Sequence, residues 1–253
     1  MENTLNKKSF GIINANTLRL IACALMLLDH MWATVIPGNN WMTYAGRLAF
    51  PIFAFQIVEG FFHTSDVRKY AKRLLFFGII TEIPFNMMIV SSPVYPFHQN
   101  AMFTLLIGLL CINELEKLRN SFSGQVSAKQ LLIYVLKIAG LLFVSVFGFV
   151  DYGICGVLTI ILFYAAHCVK WGWAVQIAGM LYINFFALKG LSIPVVIGSA
   201  EYLFPTQGFA VLSLLLIWLY NGKKGRSSKV LQYGFYAFYP VHMLVLGMIG
   251  MMF

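Results

Sequence analysis

Acidic side chains are scarce in this chain: 9 Asp and Glu stand against 18 Lys and Arg, and charged residues of both signs make up only 11% of 253 positions. Soluble globular domains carry about a quarter charged residues, so the composition excludes that class. Cysteine is sparse as well. Cys23, Cys111, Cys155 and Cys168 stand singly in or beside apolar runs, without a CxxC pair or a histidine at ligand spacing. That pattern excludes a disulfide framework and a thiolate metal site, and the thiols read as inert and buried. The other histidines, His63, His98 and His167 among them, also lack metal-like spacing, so no metal is expected. No linker, internal repeat or low-complexity stretch divides residues 1–253, which read as a single domain. The polar segment Met1 to Asn16 leads into an apolar run without a small-residue cleavage site, so no removable signal peptide is expected.

Apolar side chains are what the chain has in quantity. It is 60% hydrophobic and 16% aromatic, with a mean hydropathy of +0.78, the signature of a multi-pass protein of the cell membrane whose first partner is the lipid bilayer. The net charge of +9 is spread over short connections between apolar runs, which reads as membrane topology and excludes a nucleic-acid partner. Windows of about 20 apolar residues suffice to cross the hydrocarbon. They occur at Thr17 to Ile36, Trp41 to Phe62, Arg73 to Val90, Ala101 to Leu118, Gln130 to Phe149, Tyr152 to Val169, Trp171 to Leu188 and Phe235 to Phe253. Ser192 to Tyr220 is broken by Pro194, Pro205 and Gly208, and its first part, to Phe204, reads as an interfacial or re-entrant piece.

Cations cluster at Arg68 to Arg73, at Lys117 to Lys129 and at Lys223 to Lys229, whereas the connections Pro37 to Asn40 and Ser91 to Asn100 carry none. The positive-inside rule then gives an all-α polytopic bundle of about nine transmembrane helices with a cytoplasmic amino terminus.

Buried charge marks the candidate site. An ionised carboxylate at mid-bilayer costs about 2.5–3.5 kcal/mol on insertion scales, so Asp29-His30 is retained only where the bundle pairs or uses it. His30 is the candidate acid–base group, since imidazole takes and returns a proton near neutral pH. Arg19 precedes it by 30 − 19 = 11 residues, roughly 16 Å along a helix. Arg47 is set to bridge to Asp29 or Glu82, or to act in catalysis. Glu59 is set to snorkel or to pair with Lys72 or Arg73. Glu82 stands beside Pro84, a position that favours a bent span lining a cavity. Asp151 reads as a helix cap. Tyr239 and His242 read as interfacial residues within reach of a cavity.

These residues carry a resemblance. Asp29-His30, Arg47 with Phe50-Pro51-Ile52-Phe53, Glu59-Gly60-Phe61, Glu82-Ile83-Pro84-Phe85-Asn86, Asn100, Asp151-Tyr152-Gly153 and Phe238-Tyr239-Pro240-Val241-His242 together resemble the TraX family of conjugative pilin acetylases. The Arg19-to-His30 spacing is similar to the Arg/Lys-X10-His motif of transmembrane acyltransferases. The resemblance implies transfer of an acetyl group from cytoplasmic acetyl-CoA to an exported acceptor: a pilin amino terminus, another peptide or an envelope glycan. In that reading His30, Asp29, Arg47 and Glu82 are catalytic. Arg19, Arg68, Lys69, Lys72 and Arg73 hold the acetyl-CoA phosphates, and Glu59, Asn86, Asn100, Tyr239 and His242 face the acceptor. A non-enzymatic transporter or export scaffold is the competing class, in which the same charges form a pathway.

Overall fold

The computed structural model describes residues 11–122, 127–188, 190–226 and 228–252, so Lys7 and Lys8 of the amino-terminal segment lie outside the described residues. The chain runs through α1 (Ala15–Thr34), α2 (Asn40–Gly46), α3 (Ala49–His63), α4 (Val67–Val90), α5 (Ala101–Ser121), α6 (Ala128–Phe147) and α7 (Gly153–His167). Next comes α8 (Gly172–Tyr182), which continues as one π-helical turn, Ile183–Ala187. A hairpin of β1 (Ser192–Ile197) and β2 (Ala200–Pro205) leads into a 3-10 segment, Thr206–Leu212, then α9 (Ser213–Trp218) and α10 (Lys229–Gly250). Short polar side chains start several helices by accepting an otherwise unpaired amide hydrogen: Asn14, Asp66, Asn100, Ser127 and Ser228 each cap one.

Among the described residues, five stretches are long and apolar enough to cross a membrane: α1, α2 with α3, α4, α6 and α10. The other apolar helices fall short of the nine-span expectation for visible reasons. Helix α5 carries Glu114, Glu116, Lys117 and Arg119 near its end, and α7, α8 with its π-turn and the 3-10 segment with α9 are shorter than 18 residues.

Two further expectations are corrected by backbone chemistry. The window Trp41 to Phe62 is two helices, interrupted at Arg47 and Leu48. Pro51 has no N–H for the Arg47 carbonyl, and its ring crowds that same carbonyl, so a continuous helix is disfavoured there. The fold is mostly helical but not all-α: Ser192 to Phe204, expected as an interfacial or re-entrant piece of a helical bundle, forms the hairpin, with Ser192 opposite Pro205 and Ile197 opposite Ala200. Its β-branched Ile193, Val195 and Val196 suit a strand, and Gly198 supplies the positive φ of the two-residue turn.

The core gathers Leu18, Ile52, Leu109, Ile112, Ile160, Phe163 and Met243 between α1, α3, α5, α7 and α10. Helix α6 stands at the periphery, with Ser145 its one buried residue, and presents Leu132, Leu136, Phe143 and Phe147 outward, as a lipid-facing helix does.

Candidate functional site

Helix α1 lays Asp29 against α2. Thr43 donates its hydroxyl to Asp29 Oδ1 at 2.6 Å, Arg47 Nη2 donates to Thr43 Oγ1 at 2.8 Å, and the same nitrogen stands 3.5 Å from Asp29 Oδ1. The close approach depends on Gly46, where a Cβ would lie 2.3 Å from Asp29 Cβ. Of the two partners expected for Arg47, the structure selects Asp29. Glu82 instead accepts from Asn100 Nδ2 at 2.6 Å, while Asn100 caps α5 and also donates to the Gly78 carbonyl. Glu82 and Asn100 therefore anchor the start of α5 on α4.

His30 is tied to α10. Its Nδ1 lies 2.7 Å from His242 Nε2, and His242 Nδ1 lies 2.7 Å from the Phe238 carbonyl. The two imidazoles are coplanar within 2° with centroids 5.0 Å apart, an end-to-end arrangement joined by that short contact. A carbonyl only accepts, so His242 Nδ1 carries the hydrogen. In a neutral His242, Nε2 is then the acceptor and His30 Nδ1 the donor. His30 Nε2 is left with its lone pair and no partner among the described residues. That is the tautomer a general base requires.

Three cavities follow one face of α1. The first, about 270 Å³, is lined by Arg19, Glu59, Arg73, Lys224, Arg226 and Tyr236 among others. Gln56 holds Arg19 there, accepting from Nε at 3.0 Å and donating to the Ala15 carbonyl, while the guanidinium sits 5.2 Å over the Phe235 ring. Arg73 Nε is buried without a partner among the described residues, a donor set for an anion.

The second cavity is a narrow slot of about 80 Å³ with Cys23, Met26, Phe53, Met102 and Tyr239 in its walls, and Asp29 and His30 at one end. Tyr239 accepts from the Ala101 N–H at 3.2 Å, and no acceptor among the described residues takes its own hydroxyl hydrogen. The third cavity, about 350 Å³, has Asp29, His30, Arg47, His98, Asp151 and Tyr152 in its lining, together with Thr206 and Gln207 at the foot of the hairpin. His30 thus stands where the slot meets the third cavity.

Several candidates take other places. Arg68, Lys69 and Lys72 are exposed and absent from the lining of the cationic cavity, and Lys69 faces Asp66 at 3.6 Å. Glu59 lines that cavity and faces His167 at 3.8 Å instead of Lys72 or Arg73. Asn86 is buried on α4 and lines none of the three cavities.

Asp151 is not the cap of α7. That position belongs to Tyr152, at φ 61° and without a side-chain cap bond. Asp151 Oδ1 accepts from the Tyr152 N–H at 3.1 Å and faces His98 Nε2 at 3.5 Å. The contact raises the pKa of His98 above the ordinary imidazole value, because the carboxylate favours imidazolium. Sequence reasoning missed Gln56, Lys224, Arg226, His98 and Tyr152 as site residues. Lys224 and Arg226 left a trace in the basic loop assigned to topology, Tyr152 in the Asp151-Tyr152-Gly153 block, and His98 only as a histidine without metal-like spacing.

The fold and site define a class: a helical membrane protein in which a histidine pair stands between a cationic cavity and a second, mixed-charge one. Residues 14–250 match the family described as TraX protein, and the chain belongs to that family. It is similar to the probable fimbrial assembly protein FimC, serogroup H1, of Dichelobacter nodosus, at 33% identity over 254 residues covering 92% of this chain and 94% of the relative. No solved structure matches.

Proposed function

We propose that this protein is a pilus-associated membrane acetyltransferase, moving an acetyl group from cytoplasmic acetyl-CoA to an exported acceptor. The bundle would cross the membrane about nine times with its amino terminus cytoplasmic, so that the cationic cavity opens inside and the third cavity outside. The observation that carries the reading is the relay Phe238 carbonyl, His242, His30, which leaves His30 Nε2 free at the junction of the two sides.

Arg19, Arg73, Lys224 and Arg226 would hold the donor's phosphates, with the pantetheine arm along the slot past Cys23 and Met26. The run from Arg19 to His30, roughly 16 Å of helix, matches an extended arm of that kind. His30 Nε2 takes a proton from the acceptor nucleophile as it attacks the thioester carbonyl. The C–S bond then breaks, and His30 returns the proton to the departing thiolate. The Tyr239 hydroxyl, which lines the slot, and Arg47, which lines the third cavity, would stabilise the oxyanion. Asp29 holds Arg47, and Glu82 acts at a distance by fixing the start of α5.

The alternative is a non-enzymatic export or assembly scaffold, which the relative's name favours. Labelled acetyl-CoA supplied to membranes separates the two. Label should enter an envelope protein or glycan with the wild type and fall by about 10²–10⁴-fold with His30→Ala. Equal labelling by both would exclude His30 as the base. Absence of labelling, with no thermal stabilisation of the purified protein by acetyl-CoA, would favour the scaffold.

A further inference from the structure

We infer that Gln207 forms a recognition subsite in the third cavity, where its side-chain carbonyl takes a backbone N–H of the chain that receives the acetyl group. The inference rests on the acetyltransferase reading and deepens it. Gln207 is only 5% exposed, yet it shares the lining of that cavity with His30. A buried amide needs partners for both its nitrogen and its oxygen, and the described residues supply one for the nitrogen alone.

That one partner fixes which way the amide points. Asn184 Nδ2 donates to the Met180 carbonyl at 2.8 Å, and a carbonyl only accepts, so Asn184 turns its Oδ1 the other way. Gln207 Nε2 donates to this oxygen at 3.2 Å. Gln207 Oε1 is then left over: no described residue donates to it, and it is not sealed from the cavity.

The backbone is shaped for this relay. Helix α8 leaves α-helical geometry where Asn184 stands, and the Leu188 N–H donates to the Ile183 carbonyl, five residues back, at 2.8 Å. Such π-turns are frequent at functional sites. Gly208 lets the 3-10 segment lie on the turn, since a Cβ there would stand 2.7 Å from Phe185 Cζ. An oxygen oriented before the ligand arrives costs little further ordering on binding.

The surroundings of Oε1 select its ligand. Leu188 and Leu191 line the cavity from the chain entering the hairpin, and Thr206 commits its hydroxyl hydrogen to the Leu191 carbonyl at 2.9 Å. A ligand that displaces solvent here must give Oε1 a hydrogen or leave it unpaired beside apolar side chains. A peptide group brings one N–H and turns its own carbonyl away. A sugar ring brings several hydroxyls to a wall that pairs one of them. Because Gln207 and His30 line one cavity, a chain held at Gln207 is positioned for its reacting end to meet His30.

The test uses the purified full chain, acetyl-CoA, a short peptide that receives the acetyl group, and analogues in which one backbone N–H at a time near its reacting end is replaced by an ester oxygen. At one position the replacement should lower kcat/KM about 10- to 100-fold. Gln207→Met, similar in size but without the oxygen, should use that analogue and the parent peptide equally. Asn184→Leu, which frees the Gln207 amide to turn, should narrow the difference. A merely structural role would slow every peptide alike and leave the ratio unchanged in Gln207→Met, and that result overturns the inference. So does a wild type indifferent to every replacement, or transfer to no peptide while acetyl-CoA still stabilises the protein. Absence of both transfer and stabilisation overturns the enzymatic reading itself. Should Gln207→Met fail to fold, the ratio in Asn184→Leu decides.

Discussion

The proposed mechanism gives His242 a role without contact to the reacting atoms. Its Nδ1–H is committed to the Phe238 carbonyl, four residues earlier on α10 and one turn away. That commitment reaches His30 through a single 2.7 Å contact. In the proposed mechanism His242 is a positioning residue, and the relay predicts a graded result. His242→Ala removes the acceptor for His30 Nδ1–H, lets the wrong tautomer form and should lower kcat by about 10²-fold or more. His242→Gln retains an oxygen that accepts from His30 Nδ1 and should recover much of that loss. Single-turnover acetyl transfer measures both, and a merely structural role for His242 would make the two variants equally impaired. Nothing in the sequence joins these residues: they lie 212 positions apart, and although His30 stands out beside Asp29, His242 on its own reads as an ordinary interfacial histidine.

Among the elements, the break between α2 and α3 decides the site. It frees α2 to pack tightly on α1, and Gly46 makes the approach possible by lacking a Cβ at a point 2.3 Å from that of Asp29. Gly46→Ala should therefore push the two helices apart, at a cost of about 1–3 kcal/mol. It should also lengthen the Thr43 to Asp29 contact and release Arg47. Thermal unfolding in detergent, compared between wild type and variant, should show the loss of stability together with reduced acetyl transfer. The hydrophobic window from Trp41 to Phe62 was legible as a unit, and Pro51 was visible within it. The break itself was not, because proline interrupts a helix only where the freed carbonyl finds another arrangement, and that depends on what α1 offers.

For the whole molecule, the proposed function turns on which end would receive an anionic donor. Cations from distant parts of the chain meet in one cavity: Arg19 from α1, Arg73 from α4, and Lys224 with Arg226 from the connection before α10. If this cavity holds a phosphate-rich ligand, Lys224→Glu with Arg226→Glu should raise KM for acetyl-CoA by about tenfold or more, with the main effect in KM rather than kcat. The wild-type KM should rise with ionic strength more steeply than that of the double variant, since these side chains are exposed and screened by salt. Steady-state kinetics across salt concentrations gives both numbers. An acetyl-CoA KM insensitive to the double substitution would place the donor elsewhere.

By itself, the sequence determined what each residue's chemistry dictates without reference to its neighbours in space. Apolar run length requires membrane-compatible helices, and the blocks around Arg47, Glu82 and Phe238 to His242 carry the family. The rarity of buried charge singles out Asp29-His30. Tertiary structure alone decided the partners. It gave Arg47 to Asp29 and Glu82 to Asn100, moved Lys224 and Arg226 from topology markers to a cavity wall, and folded Ser192 to Pro205 into a hairpin. The physical reason is that hydrogen bonds and ion pairs are matters of a few ångströms, set by how helices far apart in sequence pack, whereas hydrophobicity is a property each residue carries alone.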